Sequence, residues 1–107
     1  MRIIARKTLR EFVESLRGSK DYRTVTSALD SWFHEVQRAD WHGPADVVRD
    51  YANPSIVGSD RVVFNIKGNS YRLVVAVDYQ RQIVFIKWLG THAAYDKIDV
   101  KEVKYGD

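Results

Sequence analysis

The chain has no cysteine. That removes disulfides, thiolate metal sites and a cysteine nucleophile together. Histidine is scarce, with three in 107 residues, and His34, His42 and His92 do not stand at metal-ligand spacing, so neither a metal nor another cofactor is expected. Apolar runs stop at about five residues, far short of a membrane span. The opening Met1-Arg-Ile-Ile-Ala-Arg6 has no apolar stretch ahead of a cleavage site and reads as a strand. Membrane attachment is therefore not expected, and a cytoplasmic location is. Two further absences exclude function classes: there is no glycine-rich phosphate loop and no serine-centred triad motif. Charge of one sign is not in large excess either. Seventeen Lys and Arg against fourteen Asp and Glu leave +3, which tolerates an anionic partner without demanding one, so distribution matters more than the sum.

What is present is an α+β pattern, one domain over residues 1–107. After a strand at 2–6, Thr8 and Glu11 fit a capping box. Leu9, Phe12, Val13 and Leu16 follow at helical spacing until Gly18. A second helix is expected from Tyr22 to about Ala39, burying Tyr22, Val25, Leu29, Trp32, Phe33 and Val36 and wetting Asp30, His34 and Arg38. Pro44 opens a short third helix carrying Val47, Val48 and Tyr51, and Asn53-Pro54 ends it. Trp32 and Trp41 read as core or helix-corner packing.

From Ser55 the apolar period becomes two. Ile56-Val57 is a brief strand, and residues 61–67, 70–79 and 82–90 are strands joined by tight turns at Gly68-Asn69 and Gln80-Arg81. The first turn sets Phe64 opposite Leu73 and Asn65 opposite Arg72. The second sets Val75 opposite Ile86, Val74 opposite Lys87 and Arg72 opposite Leu89. Both turns sort the side chains alike. One face holds Val62, Phe64, Ile66, Tyr71, Leu73, Val75, Val77, Val84, Ile86 and Trp88 and is expected to meet the helices. The other holds Arg61, Asn65, Lys67, Arg72 and Lys87 among Val63, Val74, Ala76, Phe85 and Leu89. It is expected to face solvent, and with that much apolar area, to meet a partner.

At this point the residues themselves carry a resemblance. Ala39-Asp-Trp41 with Pro44-Ala-Asp46, then Ser55-Ile-Val-Gly58, Arg61-Val-Val-Phe-Asn-Ile-Lys-Gly-Asn69, Tyr71-Arg-Leu-Val-Val75 and Gly90-Thr-His-Ala-Ala-Tyr-Asp-Lys-Ile-Asp99 resemble the HigB-type toxin family, in order and over nearly the whole chain. The resemblance implies a RelE-like fold, with an N-terminal strand and helix pair packed on one face of a small, mostly antiparallel sheet. It also implies an mRNA interferase toxin of a type II toxin–antitoxin system: an endoribonuclease cutting mRNA on the ribosome without a metal and so inhibiting translation. The implied partners are mRNA, the ribosome and a HigA-type helix-turn-helix antitoxin, with operator DNA contacted only through the antitoxin complex. Ala94 departs from the pattern, where Glu is expected to pair with Thr91, and Gly43 stands where a hydroxylic cap is commoner.

RNA cleavage by its own 2′-hydroxyl needs a proton acceptor, stabilisation of the crowded phosphorane and a proton donor for the departing 5′-oxygen. Arg72 suits the phosphate through its planar fork, though an isolated surface arginine is common. Lys87 is expected diagonal to it, or else in a rim pair with Asp78. His92 shuttles protons near neutral pH or simply caps the turn. Tyr95, one helical turn on, stacks on a base, acts at the phosphate, or is a core tyrosine. Asp96 and Lys97 orient these groups or pair with each other. The catalytic candidates are Arg72, His92, Tyr95 and Lys97; the RNA-binding candidates are Arg61, Asn65, Lys67, Asn69 and Lys87. The rival readings are a non-catalytic RNA-binding or regulatory module using the same basic face, and a protein-interaction domain docking an acidic partner.

Overall fold

A computed structural model of the chain describes residues 1–4, 6–68 and 70–102, Arg6 by its backbone alone. The elements run β1 (Arg2–Ile4), α1 (Arg6–Ser15), α2 (Tyr22–Arg38), α3 (Pro44–Asp50), β2 (Ser55–Val57), β3 (Arg61–Ile66), β4 (Tyr71–Asp78), β5 (Ile83–Thr91) and α4 (His92–Tyr95). The strands form one sheet in the order β1-β5-β4-β3-β2. β1 runs parallel to β5, and the other neighbours are antiparallel.

The helical stripe is narrower than its apolar pattern. Val25, Leu29, Trp32 and Val36 are buried on α2, while Tyr22 and Phe33 at its margins are only half-buried. On α3 Pro44 takes the first helical position and Val47 is buried, but Val48 is 52% exposed. Trp41 stacks on Phe64 with ring centroids 6.2 Å apart, and its indole N–H donates to Asp50 at 2.9 Å. The expected capping box does not form. α1 already begins at Arg6, so Thr8 lies inside its first turn, because β1 ends at Ile4 instead of running on to residue 6.

The hairpin registers decide the face that matters. β3 and β4 pair as their turn requires, with Phe64 opposite Leu73 and Asn65 opposite Arg72. β4 and β5 agree only as far as Val75 opposite Ile86. One extra residue on β5, Lys87, then bulges out, so that Val74 faces Trp88, Leu73 faces Leu89 and Arg72 faces Gly90. This corrects the register inferred from the turn: a bulge inserts one residue and exchanges the faces of those beyond it. Leu89 joins the main core with 0% exposure, and Trp88 leaves that core for the Arg72 face. The physical gain is that both large side chains are buried, on opposite sides, while the lysine is left at the bulge.

That face is therefore not simply open to solvent. Val63, Val74 and Trp88 form a second, smaller core, covered by Ala94, Tyr95, Ile98 and Val100 of the C-terminal segment and by Val57. The sheet is sandwiched, helices on one side and a short strap on the other.

Candidate functional site

The strap begins at Thr91, whose side-chain oxygen accepts the Ala94 backbone N–H at 3.1 Å and caps α4. No Glu is needed at residue 94 for that bond. The His92 backbone N–H donates to the Ser70 carbonyl at 3.0 Å, which hooks the turn onto the β3–β4 hairpin. His92 is exposed, and so is Lys97, whose backbone N–H closes the turn on Ala94 O at 3.1 Å.

Arg72 and Tyr95 are brought together. Both are half-buried, and the Arg72 guanidinium carbon sits over the Tyr95 ring, 5.7 Å from its centroid. The phenol also meets Trp88, ring centroids 6.3 Å apart and planes tilted by 51°. Asn65, opposite Arg72, is exposed, and its amide donates to the Asn53 carbonyl at 3.5 Å.

The remaining cations part company from this group. Arg61 pairs with Ala76, four residues along β3 from Asn65 and so about 13 Å away. Lys87 leans the same way, its ammonium 5.5 Å from the centre of the Phe85 ring, and Phe85 is the residue opposite Ala76. The expected diagonal between Lys87 and Arg72 is thus replaced by a Lys87–Phe85 contact toward the Arg61 end. The bulge re-aims the lysine.

Lys67 turns to the other side of the sheet. Its backbone adopts φ 53°, and its ammonium bonds Asp21 at 2.9 Å. The same carboxylate accepts the Tyr71 hydroxyl at 2.9 Å. Asp21 therefore clamps the hairpin end to the start of α2. The Lys67 hydrogen bond, with that of Tyr71 second, holds its carboxyl below the usual range. Asn69 lies outside the described residues.

Two residues of this site escape a reading by sequence. Trp88 sits on the core side if the strand is unbulged. Gly90 reads as an ordinary strand glycine, yet a Cβ built on it would stand 2.4 Å from the Trp88 Cη2. A glycine two residues after a tryptophan inside a strand is the available signal, since strand glycines mark bulges and close approaches. Asp21 gave no signal; a lone acid before a helix reads as a cap.

Among the described residues no group of three or more His, Cys, Asp or Glu side chains is placed to hold a metal. No described helix is long and apolar enough to cross a membrane. A cleft of about 530 Å³ lies between α1 and α2, lined by Leu9, Val13, Leu29 and Phe33 and edged by Arg10, Asp30 and His34. It is on the helix side, away from Arg72.

No curated protein matches the chain. The profile of the HigB toxin family, the RelE-like toxic component of a toxin–antitoxin system, matches residues 25–98. That span covers more than half of the chain and runs from α2 through the whole Arg72 face to the turn carrying His92 and Tyr95. With this match and a RelE-like α+β arrangement, the chain belongs to the HigB-type toxin family and is the toxin of a toxin–antitoxin system, with an antitoxin for its partner.

Proposed function

We propose that this toxin is an endoribonuclease that cuts mRNA on the ribosome by attack of the RNA's own 2′-hydroxyl, so inhibiting translation, and that the single domain of residues 1–107 suffices for it. The observation that carries the reading is the Arg72 guanidinium lying over the Tyr95 ring beside the turn that presents His92. The 2′-hydroxyl loses its proton to a base, its oxygen attacks the adjacent phosphorus, and the 5′-oxygen departs with a proton. The products are a 2′,3′-cyclic phosphate and a 5′-hydroxyl. Arg72 neutralises the phosphorane, two N–H groups toward two oxygens. His92, exposed on the turn beside Arg72 and Tyr95, moves one of the protons. Tyr95 and Lys97 belong to the same turn and serve the same end of the face. No divalent metal takes part.

RNA contacts extend from this centre through Asn65, with Asn69 as a further candidate, while Lys67, held by Asp21 on the helix side, is left out of them. Arg61 and Lys87 form a second basic patch about 13 Å along the strand direction, suited to phosphates that are held and not cut. A HigA-type helix-turn-helix antitoxin silences the toxin, operator DNA is met only in that complex, and the ribosomal substrate places the activity in the cytoplasm.

The test is single-turnover cleavage of mRNA on saturated ribosome complexes, with RNA 5′ ends mapped. Arg72→Ala is expected to lower the rate about 10²-fold or more while the fold is kept. Wild-type cleavage by the folded variant would remove Arg72 from the centre. Tight RNA or ribosome binding without any cleavage by the wild type would favour a non-catalytic module on the same basic face.

A further inference from the structure

We infer that Trp88 is a positioning residue for Arg72, acting through the Tyr95 ring, and that Gly90 is glycine because the indole needs its space. The inference rests on Arg72 being the phosphate-binding group, and extends it to how that group is held.

The bulge at Lys87 turns Trp88 out of the helix-side core and onto the Arg72 face, where it is 5% exposed. There it lies across the next residue on its own side of the strand. The built Cβ at Gly90 stands 2.4 and 2.5 Å from Trp88 Cη2 and Cζ2, distances no alanine can keep. Gly90 is also the residue opposite Arg72. The indole thus occupies the floor beside Arg72, and a side chain at residue 90 would take that place from it.

From this floor a chain of contacts rises. Trp88 meets Tyr95 at 6.3 Å, and Tyr95 carries the guanidinium at 5.7 Å. Tyr95 stands on a four-residue helix and packs half-buried on the second core, of which Trp88 is the largest member. A rigid indole in contact with it restrains the ring, and the ring then sets where the cation rests. Buried as it is, Trp88 does not reach RNA. Its effect passes through the geometry of Arg72, and phosphoryl chemistry is sensitive to misplacement of about 1 Å. The effect of Trp88 therefore runs through ring contact and does not need the Tyr95 hydroxyl.

The experiment compares wild type, Trp88→Leu, Trp88→Phe and Gly90→Ala with two readouts. One is kcat and KM for mRNA cleavage on ribosome complexes. The other is the NMR shift of the Arg72 side-chain protons, which the Tyr95 ring current moves upfield when the guanidinium lies over it. Trp88→Leu is expected to fold cooperatively, to lose about ten- to a hundredfold in kcat with KM little changed, and to lose the upfield shift. Trp88→Phe keeps a ring against Tyr95 and recovers most of both. Gly90→Ala, which displaces the indole, resembles Trp88→Leu. Folded Trp88→Leu or Gly90→Ala protein with wild-type kcat and wild-type Arg72 shifts overturns the inference. Should neither variant fold, Trp88 bears the fold and is not a positioning residue, and the inference fails as well. If the wild type itself does not cleave, the endoribonuclease reading is what fails, and the Arg72 shifts alone decide whether this chain of contacts is set by Trp88.

Discussion

Leu89→Ala tests the bulge on which the site depends. Leu89 has 0% exposure and packs in the main core, opposite Leu73. Truncating a leucine at such a position removes its transfer free energy and leaves a cavity, together about 3–5 kcal/mol. A domain of this size is held by only about 5–15 kcal/mol in total. The loss corresponds to a fall in melting temperature on the order of 12 °C or more. Without the bulge, Leu89 would stand beside Arg72 on the other face, and Trp88 would fill the core. Substitutions at such a surface position are usually within about 0.5 kcal/mol. The losses that the two registers predict for Leu89→Ala thus differ by several kcal/mol, well beyond the error of a urea titration followed by circular dichroism. Lys87→Ala serves as the control. It sits half-buried on the bulge, and the contact it loses is the cation–π one to Phe85, about 1–2 kcal/mol. A Leu89→Ala variant less than about 1 kcal/mol below wild type, with an unchanged urea dependence, would refute the bulged register and with it the placement of Trp88 under Tyr95.

Three other outcomes follow from the site. His92→Gln is expected to slow single-turnover cleavage strongly while ribosome binding stays near wild type, since a proton transfer is felt in the transition state; full activity would move the proton step to Tyr95 or Lys97. Tyr95→Leu removes the face on which Arg72 rests and should cost more in kcat than Tyr95→Phe, which keeps it; equal losses would assign the work to the hydroxyl. Asp21→Asn should destabilise at neutral pH, because Lys67 and Tyr71 both bond the ionised carboxylate. Its folded pKa is depressed, so that contribution is present above the unfolded carboxylate value near 4 and is lost as pH falls through the lower folded value. Urea midpoints of the two proteins should therefore converge in acid, and a gap constant from pH 7 down to about pH 2 would show that the carboxylate charge is not what Lys67 and Tyr71 hold.

The sequence by itself determined whatever depends on neighbours along the chain. Val25, Leu29, Trp32 and Val36 recur at helical spacing, and a helix buries all four. The short turn at Gly68 sets Asn65 against Arg72 because a two-residue connection leaves few registers. Thr91 caps α4 through a hydroxyl three residues from its donor. The motifs of the family lie in the same local segments, which is why the fold and the toxin identity were legible there, and why Arg72, His92 and Tyr95 could be singled out. Tertiary structure decided the rest. Lys67 faces α2 because Asp21, forty-six residues earlier, offers a carboxylate there. Lys87 bulges because a strap of residues 94–100 covers the second face and gives Trp88 somewhere to be buried. Without that cover an indole turned outward would lose its burial, and the even alternation read from the strand would be the better register. A strand's pattern shows which residues can share a face; only the layers packed on both faces settle where that pattern must break.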